Sequence, residues 1–328
     1  MSAEFQALFS GRPVLLAPME DISDEVFRRL CRELGAGLCY TEFVNVESLL
    51  HGDRKSLRKV RLSPGDRPTA IQVYGANPDT LCEAARVAEE ARPAFIDINC
   101  GCWVPKIAGR GAGAAWLRDP AKMVEMAARV VRSVSLPVTV KTRIGWGPES
   151  EMPIVELARR LEDVGVRALT VHCRTAQMRH DGAADWRWAA RAQAAVQMPV
   201  VVNGDVRTGG DAVRALEETG CAAVMVGRGA VAHPWIFREA RALLDGQPAL
   251  PPPTVRERLE LLTRHLQQNV AFRGENNGVQ CTRRHYAGYL AGIPGGSELR
   301  AELNRMPGLQ QCLDRVAAAA EALTPQAA

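Results

Sequence analysis

The sequence predicts an α/β chain: a (β/α)8 barrel followed by a small C-terminal all-helical domain. Eight short apolar runs rich in β-branched residues recur along the chain, each followed by a stretch with helical spacing. Their near-continuous apolarity, as in Val200-Val201-Val202, suits parallel strands buried on both faces. Beyond Leu244 the strand signal stops and only helical periodicity continues. A doubly wound sheet of six strands would leave two strand–helix units without a place.

The first run is Val14–Met19, and Ser23-Asp24-Glu25 then opens a helix carrying Val26, Phe27, Leu30 and Leu34 that Gly35 stops. Leu38–Phe43 and Ala70–Tyr74 follow. Asn77-Pro78-Asp79 starts a helix that ends near Ala91, with proline tolerated in the first turn. Phe95–Asn99 is the fourth run, and Asp119-Pro120 repeats the capping device before Met123, Met126 and Val130. Val138–Arg143, Ala168–Arg174 and Val200–Gly204 come next. Thr208-Gly209-Gly210-Asp211 leads into Ala212–Glu218, and Ala223–Gly227 completes the set. This alternation gives a TIM barrel over residues 1–244. Asp245-Gly246-Gln247-Pro248 and Pro251-Pro252-Pro253 form a stiff connector expected to hold the two parts at a fixed angle. Val255–Ala271, Arg283–Ala291, Ser297–Met306 and Gln310–Leu323 then read as the helices of a second domain, residues 245–328.

The chain has 328 residues, 47% apolar and 24% charged, with a net charge of +4. That balance excludes a disordered polyelectrolyte and permits an anionic partner without demanding one. No run approaches the roughly 18 consecutive apolar residues of a membrane helix. The opening Met1-Ser2-Ala3-Glu4-Phe5 lacks the basic-then-apolar profile of a signal peptide. Nine cysteines, an odd number scattered over a long chain, do not form a disulfide framework. The protein is therefore expected to be cytoplasmic and reduced, away from membranes, and a monomer. From residue 245 onward nine arginines face eight acidic residues, so the tail has no gross basic stripe, although Arg283-Arg284-His285 is a local cluster.

In a barrel the chemistry sits at the C-terminal ends of the strands. Here those ends read Pro18-Met19-Glu20, Glu42, Gln72, Asp97 with Asn99 and Cys102, Lys141 with Arg143, His172 with Arg174, Asn203-Gly204-Asp205 and Gly227-Arg228. A Lys or Gln inside a buried strand creates a desolvation cost that something must offset. Salt bridges across the mouth account for one or two such residues, and eight converging polar ends point to a ligand. Asn203-Gly204-Asp205 and Gly227-Arg228-Gly229 follow strands 7 and 8, where barrels commonly hold a phosphate through backbone N–H groups. The loop after strand 4 is unusual, with Cys100 and Cys102 separated by one residue and the glycine-rich Gly109–Gly113 behind them. No second cysteine pair with histidine spacing exists, so no metal site is expected. Cys100 reads as a small buried hydrophobe at the strand end. Cys102 lies past the strand, where thiol chemistry is the better reading.

These segments, in this order, resemble the flavin-dependent tRNA-dihydrouridine synthase family from Leu15 to Met306. The matching pieces are Leu16-Ala17-Pro18-Met19, Tyr40-Thr41-Glu42, Gln72-Val73-Tyr74-Gly75, Asp97–Cys102, Val140–Arg143, Val171–Thr175, Ala184-Asp185-Trp186, Asn203-Gly204-Asp205 and Met225–Gly229. In the tail, Gly292-Ile293-Pro294-Gly295 before Glu298-Leu299-Arg300 is similar to the family's helical domain. One departure stands out. The family usually follows its cysteine with proline, whereas Trp103-Val104 follow Cys102 here and Pro105-Lys106 come later.

The resemblance implies FMN across the barrel mouth. Pro18 and Met19 would wall its ring, Gln72 would meet its adjacent carbonyl and N–H, and Lys141 would stand at its pyrimidine end. Asn203, Gly204, Asp205, Gly227 and Arg228 would hold its phosphate. His172 pairs either with the phosphate or with the flavin edge, or is a satisfied core histidine. The implied reaction delivers a hydride from reduced FMN N5 to C6 of uracil and a proton from Cys102 to C5, with NADPH refilling the flavin. The uracil must leave its stack to react. Asn99, Arg143 and Arg174 would meet it, and Arg283, Arg284 and His285 either contact RNA phosphates or form a solvated helix face. The expected partner is tRNA, docked by the tail. Ribosomal RNA, a small-molecule substrate of an FMN barrel oxidoreductase and non-catalytic RNA binding are the alternatives.

Overall fold

The computed structural model describes residues 3–147 and 152–323. Met1 and Ser2 of the expected leader-free start, and residues 324–328 of the expected second domain, lie outside the described residues. The eight barrel strands are β1 (Val14–Leu16), β2 (Leu38–Tyr40), β3 (Thr69–Tyr74), β4 (Ile96–Cys100), β5 (Val138–Arg143), β6 (Leu169–His172), β7 (Val200–Asn203) and β8 (Ala223–Val226). Every pairing is parallel, and β1 pairs with both β2 (Leu15 opposite Leu38) and β8 (Leu15 opposite Met225), which closes the barrel. An unpredicted rung, Val44–Asn45, runs beside Val73 and Tyr74.

Several strands stop short of the predicted ends. Pro18, Met19, Phe43, Arg174, Gly204 and Gly227 all lie just beyond the ladder. Pro18 has no N–H to donate to a ladder, and at the mouth all of these residues except Arg174 line the cavity instead. The intervening helices begin at the predicted caps. Asp24, Asn77 and Asp119 side chains each accept a backbone N–H of the first turn, and Thr208 forms a capping box with Asp211.

The barrel interior has an apolar floor and a polar upper layer. Leu15, Leu38, Ala70, Phe95, Val201 and Met225 fill the floor, and Phe5 of the N-terminal helix Ala3–Ala7 plugs it from below, edge-on to Phe95 at 5.5 Å. Above them, Asp97 accepts hydrogen bonds from Gln72 and Thr139.

The tail comprises helices Val255–Arg273, Glu275–Leu290, Gly296–Leu303 and Leu309–Leu323. The second starts eight residues before the expected Arg283. Asn276-Asn277-Gly278 has weak helix propensity, which packing against the preceding helix overrides. The tail does not hang on its connector. Its apolar cluster includes Val26 and Leu30 of helix Glu25–Glu33 and Trp235 of the barrel, and Arg273–Asp24 (2.8 Å), Arg284–Asp21 (3.2 Å) and Arg264–Glu33 pair across the junction. This shared core, rather than Pro251–Pro253, sets the tail's orientation.

Gly288 marks the tightest approach. A Cβ there would sit 2.1 Å from the Val231 carbonyl oxygen, on the short helix Arg228–Ala232 that follows β8. Gly288→Ala should therefore push the tail off the barrel and lower stability by about 1–3 kcal/mol. Chemical denaturation of the variant beside wild type checks this, and equal midpoints would show that the junction yields without strain.

Candidate active site

The strand ends converge on a cavity of about 290 Å³. Its lining holds twelve of the sixteen expected site residues: Pro18, Met19, Asn99, Cys102, Lys141, Arg143, His172, Asn203, Gly204, Asp205, Gly227 and Arg228. Cations dominate its floor. Lys141 on β5 donates to Asn203 Oδ1 at 3.2 Å, and Asn203 is itself anchored through Nδ2 to the Met225 carbonyl at 2.8 Å. Burial, with repulsion from Arg143, pulls the Lys141 ammonium down to about 8. Burial likewise lowers Arg143 to about 10. His172 is held well below its ordinary value by burial and by Arg143 and Lys141, so its imidazole is neutral. Burial outweighs the pull of Asp97 on Lys141, so an anionic ligand beside it would be favoured.

The loop after β7 supplies the other wall. Gly204 and Asp205 both have positive φ, +127° and +54°. At Gly204 a Cβ would lie 2.7 Å from Ala184 Cβ and 3.2 Å from His172 Cδ2, so only glycine fits. The Ala184-Asp185-Trp186 segment buttresses this turn. Ala184 N–H donates to Asp205 Oδ2 at 2.8 Å, and Trp186 Nε1–H donates to the Gly204 carbonyl at 2.8 Å. Arg228 is 61% exposed and pairs loosely with Asp205 at 3.7 Å, so its guanidinium stays open to solvent at the cavity edge.

The thiol stands on the opposite rim. Asn99 Oδ1 accepts the backbone N–H groups of Gly101 (3.1 Å) and Cys102 (3.0 Å), which curls the chain at the end of β4. The Cys102 carbonyl accepts Ala114 N–H at 2.9 Å, and at Gly113 (φ +60°) a Cβ would lie 2.6 Å from that same oxygen. The glycine-rich segment is thus the seat on which Cys102 rests. Burial raises the Cys102 thiol above its ordinary value, against the opposing effect of the Val104 backbone N–H, Arg143 and Lys141. The sulfur is protonated at neutral pH. Cys100 is fully buried, as expected for a packing residue.

Four expected residues are not in the cavity lining. Gln72 lies fully buried beneath it, donating to Asp97 at 2.6 Å and accepting from Asn99 Nδ2 at 2.9 Å. Arg174, expected to contact the base, is buried and ties two loops together. It bonds both oxygens of Asp205 (2.7 and 2.6 Å) and the Asp181 and Gly182 carbonyls, and is 2% exposed. Arg283 bonds the Met306 carbonyl, Arg284 is exposed and paired with Asp21, and His285 is buried against Phe27 at 4.4 Å. The expected three-residue cluster is therefore split, because successive helical residues point about 100° apart.

Arg143 has a second task. Its guanidinium bonds the Gly101, Thr175 and Arg179 carbonyls at 2.8–2.9 Å, stitching the Cys102 loop to the loop after β6. That second loop brings His180 into the cavity lining, and Phe43 and Arg207 line it as well; none of these was expected. The placement of loops after strand ends was the available signal. Outside the cavity, Glu20, Asp21 and Glu42 cluster, but Lys59 (2.6 Å to Glu20) and Lys55 (3.3 Å to Asp21) already neutralise them.

A closed parallel barrel whose C-terminal face gathers a thiol and desolvated cations around one cavity has the layout of a barrel enzyme. Residues 15–324 match the family model described as dihydrouridine synthase (Dus). The chain belongs to the dihydrouridine synthase family. It is 39% identical over 293 residues to tRNA-dihydrouridine synthase B of Pseudomonas aeruginosa, covering 89% of this chain and 88% of that one. It is 36% identical over 302 residues to probable tRNA-dihydrouridine synthase 1 of Synechocystis, covering 92% and 84%. Among solved structures, a variant of NCR from Zymomonas mobilis aligns with a TM-score of 0.50 at 15% identity, over 75% of this chain and 90% of that one, and shares the fold. No described helix is long and apolar enough to cross a membrane.

Proposed function

We propose that this protein reduces the C5=C6 bond of uridines in tRNA to give 5,6-dihydrouridine, with FMN as resident cofactor and NADPH as electron source, acting as a cytoplasmic monomer. The observation that carries this reading is the placement of the Cys102 thiol on the rim of the same cavity that Lys141 and Arg143 line. A phosphorylated, flat, electron-accepting ring fits that cavity. The buried cations Lys141 and Arg143 favour an anion, the Gly204–Asp205 turn and the exposed Arg228 suit a phosphate, and Pro18 with Met19 offers an apolar wall.

When bound, FMN supplies the hydride that reduces C6. Lys141 stabilises negative charge at the cavity floor, and His172, being neutral, donates or accepts one hydrogen bond without adding charge. Gln72 acts from below by orienting Asn99, which in turn presents the Cys102 loop. Cys102 delivers its proton to C5 and recovers one from solvent. Arg143 holds the two rim loops together around the base. The tail, fixed by its shared core, carries the RNA-docking surface, to which Arg284 contributes an exposed cation.

Two measurements test the reading. Dihydrouridine mapped in RNA from cells with and without the gene should disappear from tRNA; loss from ribosomal RNA alone would redirect the substrate, and no loss from either would defeat the proposal. The second concerns Lys141. Its ammonium is charged below about 8, and an anionic ligand beside it favours the charged form, so binding takes up a proton. Flavin affinity should therefore fall as pH rises through about 8 and above. Lys141→Ala should weaken retention by about 10- to 100-fold, as loss of a charged hydrogen bond does, and flatten that pH dependence. Dialysis of the yellow protein at several pH values reads both, and a colourless wild type that ignores added FMN would remove the cofactor from the scheme.

A further inference from the structure

Trp103 stands directly after Cys102. Its indole lines the cavity. The ring is braced from outside the loop: the Arg179 guanidinium lies over it at 5.0 Å from the centroid, and His180 meets it edge to face at 5.8 Å, with the indole N–H 3.5 Å from His180 Nε2. Arg179 itself takes a left-handed backbone, φ +54°, and Arg143 holds its carbonyl at 2.8 Å. The same guanidinium holds Gly101, two residues before Trp103. One buried arginine thus locks both the aromatic and its brace into a single unit. Val104 beside it is 41% exposed, among the few large apolar side chains so open to solvent. The lip formed here is apolar, rigid and turned outward.

Resting on the uridine reduction proposed above, we infer that Trp103 stacks an unpaired base of the RNA next to the uridine being reduced. A uracil brought to Cys102 has left its own stack, and its neighbour has lost a partner. An indole fixed at the rim replaces that partner, and it does so for any base, since every base offers a π-face. The ring was ordered before RNA arrives, so little side-chain entropy is lost on binding. Trp103 is a positioning residue: it acts on where the RNA sits, while Cys102 acts on the bond.

The test uses the flavin-loaded protein and an unmodified tRNA transcript. Trp103→Ala should weaken binding of the transcript by about 5- to 150-fold, the range of one base–aromatic stack, with flavin content unchanged. Trp103→Phe keeps an aromatic face and should stay within about threefold of wild type. Indole emission adds a readout that a purely structural role would not move: the transcript should quench wild type more than the Trp103→Phe variant. Equal affinity of wild type and Trp103→Ala, or equal quenching of wild type and Trp103→Phe, overturns the inference. Failure of the broader reading looks different, since the wild type would then produce no dihydrouridine in the transcript whatever Trp103 does.

Discussion

Replacing Cys102 by alanine should lower the rate of dihydrouridine formation by about 10²- to 10⁴-fold, the usual worth of a positioned acid, while flavin content and flavin reduction by the proposed donor NADPH should stay at wild-type level. The sulfur is a titratable donor on the cavity rim whose proton is kept in place by burial. Lys141 and Arg143 are cations committed to the floor and to the rim loops, and His172 is neutral. Because burial raises the thiol above its ordinary value, the acid stays protonated through neutral pH and the thiol itself should impose no fall in rate there. Cys100→Ala is the control. Its side chain packs in the barrel wall, so it should cost some stability and leave chemistry intact. Single-turnover product formation in the two variants decides the assignment, and product lost in Cys100→Ala but kept in Cys102→Ala would reverse it.

Arg174→Ala should destabilise the fold by roughly 3 kcal/mol, at the low end for breaking a buried ion pair because Asp205 keeps partial access to water. The guanidinium closes the loop after β6 onto the loop after β7, and its removal leaves the Asp181 and Gly182 carbonyls without their donor. Asp205, already in a left-handed conformation, loses the partner that holds it there. The expected result is a lower denaturation midpoint together with weaker flavin retention, since the disturbed turn is the candidate phosphate wall. A base-contacting arginine would behave otherwise, with normal stability and normal flavin but poor RNA affinity. Denaturation and flavin content, measured on one preparation, separate the two roles.

Arg174 and Gln72 show where reading a sequence runs out. Both occupy strand ends of the kind that carries chemistry in a barrel, and both are polar in an apolar run. Which way each side chain finds its partner depends on residues far away in the chain: Asp205 for Arg174, Asp97 and Asn99 for Gln72. His180 escaped notice for the converse reason. It sits in a polar loop with no local pattern, and only the tie from Arg143 to Arg179 brings it to the cavity. Arg283-Arg284-His285 looked like one patch in the linear text and became three separate environments on a helix.

The amino-acid order alone determined the strand–helix rhythm, hence the barrel, and the face on which its chemistry lies. Periodicity and capping are local properties that each segment carries with it, as the caps at Asp24, Asn77, Asp119 and Thr208 show. It also singled out Cys102 and Lys141, because a thiol in a glycine-rich loop and an ammonium in a buried strand are anomalous wherever the chain goes. The tertiary structure decided the rest: which arginines face the cavity and which are spent as ties, that the tail is held by a core shared with the first barrel helix, and that Trp103 is braced into a rigid lip. Those outcomes rest on desolvation and on hydrogen bonds between distant segments, and such energies exist only once the segments have met.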